Sequence, residues 1–354
     1  MASNLSGQPI LMGLPGPSLS AGTRALIGKI QPGGFILFGR NIASPRQLFN
    51  LISELYQLSD NPPIITIDQE GGRVSRLRLI GEEPPSADLL RRAADRELIR
   101  EHGELTGRLL ALFGFNLNLA PVVDYAPDAD ADNSLRGRCY GATPREVIVS
   151  AGIFLDAMKT QGVLGTAKHF PGYTHCGIDP HGELPRVDRT LAQINAEELG
   201  AFRAFTVSAD AFMVGHAHFP AWHDAPHPAS LSQKIIHNFL IKELGYQGLI
   251  MTDDLEMGAV AIRYGAKRAT QLAIAAGEHM VMFCHNPACA EIAHDTLTMM
   301  TAAELRPSLS ALANIKEKLC KIPEKFDARQ FREINARVSV LRGRAARLAA
   351  VGAH

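Results

Sequence analysis

Residues 168–185 read KHFPGYTHCGIDPHGELP and carry one amine (Lys168), three imidazoles (His169, His175, His181), two carboxylates (Asp179, Glu183) and one thiol (Cys176). Proline and glycine recur through the same stretch, so it cannot continue a helix and reads as a loop. Groups of these kinds can move protons or bind a polar ligand or a metal. Asp179 and His181 stand two apart around Pro180. Proline biases the residue before it toward an extended backbone, in which side chains two apart project to the same side. A carboxylate beside the ring would favour the imidazolium and fix its tautomer, which is what a general acid or base requires.

Other reactive side chains close short apolar runs: Asp68, Asp124, Lys168 with His169, His216 and Asp253. A lone aspartate there is as readily the cap of the next helix. Five such positions point to a shared site. In IDQEGGRVSRL (67–77) the Gly71-Gly72 pair calls for a tight turn that would hold Asp68, Glu70 and Arg73 together. The competing reading of that segment is a glycine turn with a surface salt bridge.

Along the chain, eight apolar runs alternate with longer amphipathic stretches. The runs are 9–14, 34–39, 63–68, 116–124, 162–170, 211–219, 248–254 and 278–283. The stretches between them, such as SPRQLFNLISELYQLS, PREVIVSAGIFLDAMKTQ, SLSQKIIHNFLIKELG and LEMGAVAIRYGAKRATQLAIAAG, have helical spacing and open on cap-like residues. Eight strand-then-helix units with almost unbroken apolar strands predict an α/β protein, a closed (β/α)8 TIM-type barrel. An open doubly wound sheet would need a glycine-rich phosphate turn, and neither GxGxxG nor GxxxxGK[ST] occurs. The reactive residues then all fall at C-terminal strand ends, the face on which barrel enzymes build their sites. One domain is expected over 1–354, with the barrel over about 9–300 and basic C-terminal helices over about 301–350 packed outside it.

A formal net charge of zero, with 46% hydrophobic and 20% charged residues, speaks against nucleic acid or an anionic membrane as partner. The N-terminal stretch has neither a basic region nor a long apolar run, which predicts no signal or membrane span and a cytoplasmic protein. Cys139, Cys176, Cys284, Cys289 and Cys320 include no CxxC pair and read as free thiols.

In the order GFILFGRNI, IDQEGGRVSRL, LAPVVDYAPD, KHFPG followed by DPH, HAHFP and MTDDLEMGA, the sequence resembles glycoside hydrolase family 3 over roughly residues 9 to 300. It looks like the family's single-domain bacterial β-N-acetylglucosaminidases of the peptidoglycan-recycling type. The resemblance implies a retaining exo-β-N-acetylglucosaminidase without cofactor or metal, acting on GlcNAc glycosides or muropeptides through a glycosyl-aspartate intermediate. By matched position, Asp253 is the nucleophile, with Asp254 the helix cap beside it. His181 with its partner Asp179 is the acid/base, and Asp68, Arg138, Lys168, His169 and His216 contact the sugar. This chain departs from the family's usual pattern in having Tyr173 for histidine and Pro180 for serine.

Three other readings compete. A metal enzyme is suggested by HAH (216–218) among many histidines, but the order of HAH and Lys168 is the reverse of that in barrel amidohydrolases. A non-catalytic sugar-binding protein would be expected to have lost Asp253 or His181. A phosphorylase stays open, because a histidine acid/base would repel an approaching phosphate less than a carboxylate would.

Overall fold

The computed structural model describes residues 5–128, 133–176, 184–222 and 225–351. One strand forms at each predicted run: β1 (Ile10–Gly13), β2 (Gly34–Leu37), β3 (Ile64–Ile67), β4 (Leu117–Asn118), β5 (Leu164–Phe170), β6 (Ala211–Val214), β7 (Leu249–Asp254) and β8 (Met280–Phe283). Each is parallel to its sequence neighbours, and β1 pairs with both β2 and β8. The sheet therefore closes and has no free edge.

Alternation along the strands sorts the side chains into two sets. Ile10, Phe35, Ile65, Phe212, Ile250 and Val281 face outward into the main core with the helices. Leu11, Ile36, Ile64, Leu117, Leu164, Met213, Met251 and Met282 fill the barrel. Burial on both faces is why the runs are continuous rather than alternating. Continued in steps of two, the inward set reaches Asp68 after Ile64 and Thr66, Lys168 after Leu164 and Thr166, and Asp253 after Leu249 and Met251. The polar groups thus lie above a dry floor, at the C-terminal mouth.

Helices α1 (Ala21–Ile30), α2 (Pro45–Leu58), α3 (Ala87–Ala93), α4 (Arg96–Phe113), α5 (Pro144–Lys159), α6 (Leu191–Ala196), α7 (Glu198–Phe205), α8 (Gly258–Ala276) and α9 (Pro287–Thr298) connect the strands or follow the last one. Their starts obey local chemistry. The Ser44 side chain accepts a hydrogen bond from the Gln47 amide while Gln47 Oε1 accepts one from the Ser44 amide, with Pro45 in the first turn. Thr143 before Pro144 and Asn286 before Pro287 repeat the pattern of cap and proline. Two predicted helices are altered. Residues Lys234–Glu243 wind as a π-helix, and α8 is kinked at Gly265, whose φ of 61° leaves the helical region.

The C-terminal helices divide their work. From α10 (Ala302–Lys316), Leu312 and Ile315 join the barrel's inner cluster and close its N-terminal end. The Lys316 ammonium donates to Gln8 Oε1 at 2.7 Å there, and burial lowers its pKa to about 8. Only α11 (Ala328–Val351) runs along the outside, against α3 and α4, with Arg337 and Arg344 paired to Glu101. Among the described residues no helix is long and apolar enough to cross a membrane.

Candidate active site

After β3 the chain makes a hairpin, Gln69–Gly71 with Val74–Ser75. Gly71 has φ 111°, and a Cβ on it would lie 2.3 Å from the Pro85 carbonyl oxygen. Glycine is therefore needed for the conformation and for the space. The turn presents Asp68 and Glu70 to Lys168, whose ammonium is 2.7 Å from Asp68 Oδ1 and 2.7 Å from Glu70 Oε1. Arg138 grips Glu70 with two parallel bonds of 2.8 Å, and Arg76 reaches Asp68 Oδ2 at 3.2 Å. Burial alone would raise both carboxyl pKa values, yet the adjacent cations hold both below the usual range. Asp68 and Glu70 are thus ionised and neutralised by fixed donors, and the competing surface salt bridge does not describe Glu70, which is 5% exposed. Arg73 is exposed at the rim of the mouth, where it donates to the backbone carbonyls of Ser134 and Arg136.

The register between β5 and β6 slips between Lys168 and Phe170, so that Lys168 and His169, consecutive in sequence, both line the mouth. His169 Nδ1 lies 2.8 Å from Asp124 Oδ2. Asp124 also accepts the backbone amides of His169 and Tyr173, at 3.1 and 2.7 Å. Held by its Nδ1, the ring turns Nε2 toward Arg138, 3.4 Å away. Tyr173 stacks on it with ring centroids 4.8 Å apart, and the Tyr173 hydroxyl accepts from the His216 amide.

Asp253 and Asp254 end β7 in different surroundings. The Asp253 carboxylate opens to the cavity and accepts the Asp254 amide at 2.8 Å. Asp254 Oδ1 accepts the amides of Glu256 and Cys284, at 3.0 and 3.3 Å. Burial, helped by the charges of Glu256 and Asp253, raises the Asp254 pKa to about 7. Asp254 caps the turn before α8, whose own cap is Met257. His216 is fully buried behind these residues, its Nδ1 2.7 Å from Ser230 Oγ and its Nε2 2.9 Å from the Asp254 carbonyl. With both ring nitrogens engaged by protein, His216 has none left to ligate a metal as HAH had suggested. His218 turns instead to the His227 carbonyl.

Asp68, Arg138, Lys168, His169 and Asp253 come together around a cavity of about 310 Å³, of the size that holds a small ligand. Of the eight residues singled out in the sequence, His216 stands behind this cavity and does not line it. Asp179 and His181 lie outside the described residues. Their loop departs after Cys176, close behind Tyr173 on the cavity wall, and is described again from Leu184. Glu70, Arg76, Asp124 and Tyr173 complete the site. Strand-end position had already flagged Asp124, and the Gly71-Gly72 turn Glu70, whereas nothing local separated Arg76 from its exposed neighbours.

The sequence profile of the glycosyl hydrolase family 3 N-terminal domain matches residues 10–311. The chain belongs to glycoside hydrolase family 3. Among other family members, the β-hexosaminidase of Tolumonas auensis is 32% identical over 306 residues, which are 85% of this chain and 90% of that protein. The β-hexosaminidase of Vibrio cholerae serotype O1, strain O395, is 33% identical over 300 residues, 84% and 88% of the two chains. A family 3 β-N-acetylglucosaminidase from Paenibacillus sp. FPU-7 superposes with a TM-score of 0.86 at 31% identity, over 96% of this chain and 68% of that one.

Proposed function

We propose that this glycoside hydrolase removes terminal β-linked N-acetylglucosamine by a retaining mechanism, with Asp253 as nucleophile. The observation that carries the reading is the contrast at the end of β7. Both residues line the cavity, but Asp253 is the less buried and is oriented by a single amide, while Asp254 Oδ1 is taken by two backbone amides and its Oδ2 faces His285 at 3.5 Å. Asp253 is therefore the carboxylate better placed to meet an anomeric carbon. Asp68, ionised between Lys168 and Arg76, is suited to accept bonds from sugar hydroxyls, and Lys168, Arg138 and His169 Nε2 supply groups around the same space. His216 serves by holding the Asp254 carbonyl, and so the strand end, rather than by touching sugar. On this reading His181, assisted by Asp179, protonates the departing oxygen and then activates water. The β-hexosaminidase names of relatives at 32–33% identity support the 2-acetamido preference. Muropeptide fragments in cytoplasmic cell-wall recycling are the proposed source of substrate.

The test is a panel of aryl β-glycosides with and without the 2-acetamido group, assayed with and without phosphate, followed by trapping with a slow 2-acetamido fluorosugar and peptide mapping. Cleavage faster on the acetamido substrates, unaffected by phosphate, with label on Asp253, is expected. Faster cleavage of plain glucosides would overturn the specificity, a phosphate-dependent sugar phosphate would make the enzyme a phosphorylase, and label on another residue would overturn the nucleophile.

A further inference from the structure

Outside the mouth, His175, Glu197 and Glu198 bring a ring nitrogen and two carboxylate oxygens within 4.8 Å of one another. We propose that these three residues bind a divalent cation of the zinc class, tying the stem of the loop after β5 to the start of α7. The spacing fits. His175 Nε2 is 3.3 Å from Glu197 Oε2 and 3.5 Å from Glu198 Oε1. Ligands about 2.0–2.2 Å from a tetrahedral zinc ion stand about 3.3–3.5 Å apart. An imidazole with two carboxylates is also a donor set that zinc accepts, the fourth position being left to water.

A second observation points to the same ligand. The Glu198 side chain is 1% exposed, and neither of its oxygens has a hydrogen-bond partner. A carboxylate so buried is costly unless a cation meets it. Arg189 supplies only part of that charge. Its Nη2 takes Glu197 Oε1 at 2.5 Å, and its Nε stays 3.8 Å from Glu198. The Tyr125 hydroxyl donates to Glu197 Oε2 at 2.7 Å, an outer partner that would orient this ligand toward a metal. His175 and Glu197 are 29% and 42% exposed in their side chains, so an ion has a way in.

The position gives the site its meaning. His175 lies on the outgoing stem of the loop that carries Asp179 and His181, and Arg189 lies on the returning stem. A bound cation would join the outgoing stem to the helix beside which the chain returns. This site is separate from the mouth, and binding can be read with no substrate present, so its failure would leave the glycosidase reading untouched.

The test is calorimetric titration of chelator-treated, full-length protein with Zn²⁺, on wild type, His175→Ala, Glu198→Gln and the double variant Asp253→Asn/His181→Ala. One equivalent should bind to wild type and equally to the double variant, with affinity weakened about tenfold or more in both His175→Ala and Glu198→Gln. Should Glu198→Gln fail to fold, His175→Ala alters a partly exposed ring and decides alone. Absence of binding, binding unchanged in His175→Ala, or binding lost only in the double variant would overturn the proposal, the last by moving the ion into the mouth.

Discussion

At the residue scale, the two aspartates ending β7 show how one backbone step separates two chemistries. Asp254 has a pKa raised to about 7, so between the ordinary aspartate value and about 7 the folded state binds a proton that the unfolded state releases. Stability therefore falls as pH rises through that window. Asp254→Asn, which keeps an acceptor for the two amides and removes the titration, should be more stable than wild type at pH 8 by about 1–3 kcal/mol and nearly equal to it at pH 4. Urea melts at the two pH values would check this, and a larger advantage at pH 4 would refute the assignment. Trapping by the fluorosugar should survive in Asp254→Asn and vanish in Asp253→Ala, with turnover lowered by several orders of magnitude in the latter. For His181→Ala, loss should be about 10²- to 10⁴-fold on poor leaving groups and far smaller for glycosyl-enzyme formation from a dinitrophenyl glycoside. The intermediate should then accumulate as a burst that azide relieves. Equal losses on both substrates would mean that the proton donor is another group.

At the scale of elements, the hairpin after β3 is the piece on which the charge network hangs. Gly71→Ala has to adopt φ 111° and to push against the Pro85 carbonyl, which should cost about 1–3 kcal/mol and displace Asp68 and Glu70 from Lys168. Urea melts and turnover should therefore fall together, and a stable variant with unchanged turnover would show that the hairpin is slack. The eight strands were legible because burial on both faces leaves unbroken apolar runs, and the helix starts because Ser44, Thr143 and Asn286 precede prolines. Asp68, Lys168 and Asp253 were legible as strand ends. Less legible was anything set by contacts distant in sequence. Glu70 looks like a solvated turn residue until Arg138, 68 positions away, closes on it. His216 looks like a sugar contact until Ser230 and the Asp254 carbonyl claim its two nitrogens. The Gly265 kink and the π-helical turns over Lys234–Glu243 leave the apolar spacing of those stretches intact, which is why both read as plain helices.

At the scale of the whole molecule, α10 was expected as a helix, but its place under the barrel had no signature in the sequence, because its Leu312 and Ile315 look like any amphipathic stripe until the barrel floor is in place. Near that floor Glu278 is 1% exposed, with neither carboxylate oxygen bonded, and burial raises its pKa well above the ordinary value. Its folded form retains the proton, so stability should decline as pH climbs past the unfolded carboxylate range. Glu278→Gln should flatten that decline and raise the melting temperature at neutral pH, and a variant that melts lower than wild type at pH 7 would refute this. The sealed floor also governs traffic. A vessel with one opening empties in the reverse of the order in which it was filled, so the aglycone must depart before the sugar lying deeper can follow. Free N-acetylglucosamine, last out, should then compete with substrate for the empty enzyme and raise KM without lowering kcat, whereas an inert aglycone analogue should also trap the loaded form and depress kcat.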